Sequence, residues 1–138
     1  RGQGHYVDGP RRDFAGGAGL VSTARDYARL LEMLRNGGQV DGVRLLGRKT
    51  VELMLTNQVG TLYNPNGMGF GFGFSIVERA GADNTSQSAG TWGWDGAYGS
   101  QYKVDPVERI TWVLMINQIP NSTDIAAKFP IVLYSALR

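Results

Sequence analysis

Apolar positions recur along this chain with two different periods, and each period predicts an element. Between Thr23 and Asn36, the residues Tyr27, Leu30, Leu31 and Leu34 return at the spacing of one helical face. Ser22 or Thr23 can cap that helix, and Thr23 and Asp26 stand at capping-box spacing. Asn36-Gly37-Gly38 ends it, because glycine accepts the left-handed conformation that closes a helix. Asp41-Gly42 predicts a turn, and Arg48 to Leu55 a short second helix with Val51, Met54 and Leu55 inward. From Gly69 to Val77 the period drops to that of a strand, with Phe70, Phe72, Phe74 and Ile76 on one face. The intervening glycines leave room for something to approach closely. Two more strands are expected at about Ala97–Val104 and Arg109–Asn117, joined as a hairpin across Asp105-Pro106-Val107-Glu108. The last helix is expected over Ile125–Leu137, apolar at Ile131, Val132, Leu133, Tyr134 and Leu137, with Pro130 in its first turn.

The polar and Gly-rich stretches between these elements read as loops: 1–21, 60–69 with Asn64-Pro65-Asn66-Gly67, and 80–91. The order helix, helix, strands, helix predicts an α+β fold, an antiparallel sheet of about three strands flanked by helices. The whole of 1–138 is expected to form a single domain, with a loop and helical part at 1–60 and the sheet and C-terminal helix at 61–138. No internal repeat or long linker breaks it.

Composition narrows the classes. No apolar run reaches the ~18 residues of a membrane-spanning helix, so no membrane span is expected. The net charge is only +2, and Arg11-Arg12 and Arg48-Lys49 are isolated basic pairs. That excludes a basic stripe for nucleic acid. With no cysteine there is neither a disulfide framework nor a thiolate metal site. His5 is the sole histidine and has no second ligand, so no metal site and no cofactor are expected. The Gly/Phe alternation at 69–74 contains G-x-G, but no phosphate-binding helix start follows it. Asp8, Asp13 and Asp26 are expected in turns and caps. The triplets at Asn84 and Asn121 match glycosylation sequons, which are common by chance.

The densest chemistry lies at Gly93-Trp94-Asp95-Gly96-Ala97-Tyr98-Gly99-Ser100-Gln101-Tyr102-Lys103-Val104-Asp105-Pro106. It reads as a Gly-rich strand entry, a strand and an Asp-Pro turn. Trp92, Trp94, Tyr98 and Tyr102 are expected to form an aromatic cluster, with Trp92, Tyr102 and also Trp112 in the core.

This run resembles the third conserved box of the serine β-lactamase and penicillin-binding-protein superfamily, where a Lys-Thr-Gly, His-x-Gly or Trp-x-Gly triplet edges the active site. Here the triplet is Trp94-Asp95-Gly96. Two other stretches extend the resemblance. One is Gly16-Gly17-Ala18-Gly19-Leu20-Val21-Ser22-Thr23-Ala24-Arg25-Asp26-Tyr27-Ala28-Arg29. The other is Asn36 to Leu46 followed by Lys49-Thr50-Val51-Glu52-Leu53-Met54. In this order the segments are similar to the branch holding class C β-lactamases, DD-peptidases and related esterases.

The resemblance implies acyl transfer through a serine acyl-enzyme on an ester, amide or peptide substrate. It implies that the Ala97 N–H is one oxyanion donor, and that Trp94, Asp95, Gly96 and Tyr98 border the substrate. Gly96 would let the backbone approach without a Cβ in the way. Trp94 stands where relatives carry Lys or His, and Asp95 adds a negative charge that would disfavour a substrate carboxylate.

The family's nucleophile box Ser-x-x-Lys, in which one helical turn sets Lys beside Ser, and its Tyr-x-Asn box lie upstream of what this chain matches. Ser100-Gln101-Tyr102-Lys103 fits the letters, yet on a strand positions i and i+3 point to opposite faces. The chain starts at Arg1 without Met, which suits an excised segment, and it is expected to be inactive alone. In the family the sheet continues beyond the strand at Ile110–Asn117, so an apolar edge is expected there. A homodimer, or pairing with a missing N-terminal half, follows as an expectation. The rival expectation is a non-catalytic module that binds a sugar or peptide in an aromatic groove around Trp94 and Tyr98.

Overall fold

The computed structural model describes residues 12, 17, 19–82 and 84–137. The expectations for His5, Asp8, Arg11 and Asp13, and for most of the Gly-rich start, lie outside the described residues. Among those described there are three helices, a two-stranded ribbon and a five-stranded antiparallel sheet.

Helix α1 spans Ala24–Arg35. Thr23 caps it: its hydroxyl accepts from the Asp26 N–H at 3.1 Å and donates to the Asp26 carboxylate at 2.9 Å. At the far end Gly37 and Gly38, both at positive φ, return their N–H groups to Leu34 and Met33. Leu31, Leu34 and, unexpectedly, Met33 are buried, whereas Leu30 is exposed. The expected face is therefore rotated. The cause is the ribbon β1 (Gln39–Val40) and β2 (Val43–Arg44), since β1 packs back against the helix. Helix α2 (Arg48–Met54) buries Val51, with Met54 and Leu55 against the same core.

The sheet runs β3 (Met68–Phe70), β4 (Ser75–Val77), β5 (Trp92–Asp95), β6 (Gln101–Asp105) and β7 (Ile110–Leu114), in that spatial order. Two expected strands are redrawn. The alternating stretch 69–77 is not one strand but a hairpin. Gly71 N–H bonds to Phe74 O at 2.8 Å, and Gly73 takes a φ of 91°. Phe72 is thus exposed in the turn rather than paired with Phe70 and Phe74. Gly71 lies so close to the Met54 carbonyl that a Cβ would stand 2.1 Å from it. Likewise Ala97 is not in a strand. Trp92–Asp95 is a strand by itself, a turn at 96–99 follows, and β6 starts at Gln101. The split of 69–77 and the added strand Trp92–Asp95 turn about three strands into five, and the α+β architecture stands.

Register places Ile76, Trp92, Val104 and Thr111 in one row across the sheet, and Ser75, Gly93, Lys103 and Trp112 in the next. Adjacent rows face opposite sides. Helix α1 covers the first face, where Leu31, Leu34 and Val51 pack with Ile76, Trp92 and Val104. Helix α3 (Ile125–Ser135) covers the second through Phe129, whose ring lies 5.3 Å from Trp112 in an edge contact. Pro130 is the sixth residue of α3 and so lies inside the helix, past its first turn. Trp92 and Trp112 are buried as expected, and Tyr102 packs on the core edge to Tyr27 at 5.0 Å. Burial pushes the Tyr102 phenol far above its ordinary pKa, and a hydrogen bond with Tyr27 adds to the shift. Among the described residues, β7 pairs only with β6 and forms one edge of the sheet.

Candidate functional site

Strand β5 carries the candidate site at its C-terminal end. Gly93, within it, is pressed between strands: a Cβ there would stand 2.0 Å from the Tyr102 carbonyl and 2.6 Å from Lys103 Cδ. The Lys103 side chain lies across Gly93, with its ammonium 3.4 Å from Ser75 Oγ and 3.9 Å from the Asp95 carboxylate. Ser75 in turn donates to the Gly93 carbonyl at 2.9 Å. The Asp95 charge is therefore directed to the Lys103 side of the strand, and its neighbour Trp94 projects to the other side. At 3.9 Å, with Asp95 more than half exposed, this ion pair is loose.

Past Asp95 the chain turns. Gly96 N–H donates to Ser100 O at 2.7 Å and Gly99 N–H to Gly96 O at 2.9 Å. Gly99 takes a φ of 86°, and Gln118 N–H donates to the Tyr98 carbonyl. Between these engaged groups, no described residue accepts from the Ala97 N–H, and Ala97 is exposed. An amide held by a closed turn on either side, but uncommitted itself, can donate to an oxygen that develops charge.

Trp94 is about 39% exposed and makes an edge contact with Phe70 at 4.9 Å, with Tyr63 tilted beside both. The expected aromatic cluster thus divides. Trp92 and Tyr102 join Phe74 and Tyr27 in the core, while Trp94 joins Tyr63 and Phe70. Tyr98 is half-buried in the turn. The sequence alone does not single out Tyr63, Phe70 or Ser75 for the site. Each reaches it through a tertiary contact, ring to ring or strand to strand, that no local motif marks.

The letters Ser100-x-x-Lys103 do not make a working pair. Ser100 Oγ donates to Ile116 O at 2.8 Å and accepts from Ile116 N–H at 2.9 Å, so its hydroxyl fastens the end of β7 to the turn. Lys103 is directed over Gly93 instead. Among the described residues no group of three or more His, Asp or Glu side chains could hold a metal ion, and no helix is long and apolar enough to cross a membrane.

The model of the β-lactamase family matches residues 1–135. The chain belongs to the β-lactamase family. Among its relatives, an uncharacterized protein of Mycobacterium tuberculosis is 35% identical over 124 residues, which cover 80% of the chain and 31% of that protein. Esterase EstB of Burkholderia gladioli is 32% identical over 106 residues, 75% of the chain and 26% of the esterase. A solved structure titled EstCE1, a hydrolase with promiscuous acyltransferase activity, superposes with a TM-score of 0.72 at 31% identity, over 89% of the chain and 32% of that hydrolase. The chain spans about a third or less of the length of these relatives. Within the β-lactamase family fold it supplies a part: the five-stranded sheet with α1, α2 and α3.

Proposed function

We propose that this chain is the oxyanion-donating and cleft-lining portion of a serine hydrolase that transfers acyl groups from ester or amide substrates. One observation carries the reading: the uncommitted Ala97 N–H at the end of β5, held between the Gly96 and Gly99 turn bonds. A tetrahedral acyl-transfer intermediate needs such a donor where its oxygen becomes negative. The second donor would be the N–H of a serine outside this chain. Trp94, Gly96 and Tyr98 would border the substrate, and Asp95 would lie behind the strand with Lys103. Since Ser100 is engaged by Ile116, the nucleophile and its lysine must come from elsewhere, and the chain is inactive alone. Its β7 edge would then pair with the remaining part of the protein, or with a second copy when the chain stands by itself. Light scattering of the isolated chain at micromolar concentration should give a dimer, and a clean monomer would speak against the self-pairing.

The catalytic reading is tested on the complete protein with 4-nitrophenyl acetate. Mass spectrometry should find one acetyl group on a serine followed three residues later by lysine, outside residues 1–138. Acetylation at Ser100 would overturn the assignment, as would hydrolysis by the isolated chain that is lost in Ser100→Ala.

A further inference from the structure

We propose that Tyr63, Phe70 and Trp94 form a preset apolar wall that selects substrates with a medium-length alkyl or an aryl group on the ester. The proposal rests on the acyl-transfer reading and names the substrate class of that site. The three rings meet pairwise, with centroids 4.9 Å apart for Phe70 and Trp94, 5.1 Å for Tyr63 and Phe70, and 6.3 Å for Tyr63 and Trp94. Tyr63 and Trp94 nonetheless keep 44% and 39% of their surface exposed. Aromatic rings packed edge to face or tilted against one another and left open on one side offer an apolar surface with little freedom to lose on binding. Trp94 belongs to both the wall and the candidate site, two residues before Gly96, so the wall adjoins the end of β5 that leads to Ala97.

The wall is also pinned from behind. Asn57 accepts from the Phe70 N–H at 3.2 Å and the Val59 N–H at 3.0 Å, and donates to Gly60 O and to Glu78 Oε1, each at 2.9 Å. Gln58 N–H donates to Phe70 O at 2.8 Å. The segment leading to Tyr63 is thus stitched to the strand that carries Phe70. Asn57 can lie there only because residue 69 is glycine: a Cβ would stand 2.6 Å from the Asn57 side chain. Asn57 is a positioning residue for the wall.

The test compares kcat/KM for 4-nitrophenyl octanoate and 4-nitrophenyl acetate in the complete protein. Tyr63→Ala and Phe70→Ala should lower the octanoate-to-acetate ratio by about five- to tenfold, as expected for losing apolar contact with one or two methylenes. The acetate value measured in each variant is the reference for its octanoate value. Val107→Ser, in the exposed hairpin at the opposite end of the sheet, should leave the ratio unchanged. An unchanged ratio in both ring variants, with the acetate still hydrolysed, overturns the wall while leaving the acyl-transfer reading intact. If neither ester is hydrolysed, the acyl-transfer reading fails, and octanoate binding read by tryptophan fluorescence decides the wall without turnover. Weaker binding in Tyr63→Ala and Phe70→Ala supports it, and equal binding in all variants overturns it.

Discussion

The two ends of this sheet each carry an aspartate at the end of a strand, and the two are treated in opposite ways. Asp105, at the end of β6, is fully buried. Its carboxylate accepts from the N–H groups of Ser88, Val107 and Glu108, each at 3.0 Å, and from the Tyr134 hydroxyl at 2.7 Å. One side chain thus ties together the loop before β5, the β6–β7 hairpin and helix α3. Asp95, at the end of β5, is exposed and keeps only a loose pairing with Lys103. At Asp105 the N–H groups of Ser88, Val107 and Glu108 are satisfied by its carboxylate. Beside Asp95 the Ala97 N–H is left for something else. A buried charge with its hydrogen bonds made holds a structure together, and a donor left without an internal acceptor is available for a ligand. The locked end ties α3 to the strands.

Substitutions can break this contrast. The largest effect is expected from Asp105→Ala, which strands a buried hydroxyl and three amides at once. Chemical denaturation should show a loss of about 3–5 kcal/mol, and a loss under 1 kcal/mol would deny Asp105 its role. Next comes Gly93→Ala. The new Cβ meets backbone at the Tyr102 carbonyl and the Lys103 Cα, so the strands must part, at about 2–3 kcal/mol. Acid should have a smaller effect, confined to the locked end. Burial alone would raise the Asp105 pKa, but the Glu108 and Ser88 N–H groups and the Tyr134 hydroxyl outweigh it and bring the value below the ordinary one. Its contribution is therefore fully present above an unfolded pKa of about 3.9 and is lost as pH falls through the lower folded value. In Asp105→Asn the stability should fall less between pH 5 and 2 than in the parent, and identical slopes would remove this assignment. Smallest of all, Asp95→Ala should change stability by no more than about 0.5 kcal/mol, as at an exposed site.

The parts legible in the sequence were those with local causes. Thr23 and Asp26 announce the start of α1, Gly37 and Gly38 its end, and Asp105-Pro106 the hairpin. Trp94-Asp95-Gly96 points to the candidate site by its resemblance to a family box. What escaped depends on tertiary contact. The alternation at 69–77 is equally a strand or a hairpin until Gly71 is seen to lie against the Met54 carbonyl, with Gly73 free to take a left-handed turn. Leu30 and Met33 exchange burial because the ribbon at 39–44 folds back over one side of α1. Lys103 reads only as a strand residue on the face opposite to Ser100. Only the register that sets it opposite Gly93 explains where its chain lies.

The central claim is that the Ala97 N–H is the oxyanion donor of an acyl-transfer site, and one measurement addresses it directly. In the complete protein, kcat for 4-nitrophenyl acetate would be compared in Ala97→Pro, which removes the N–H, and Ala97→Gly, which keeps it, with the fold of both checked by circular dichroism. The account predicts a loss of about 10²–10³-fold in the proline variant and near-normal turnover in the glycine variant. Equal turnover in the two folded variants would contradict it.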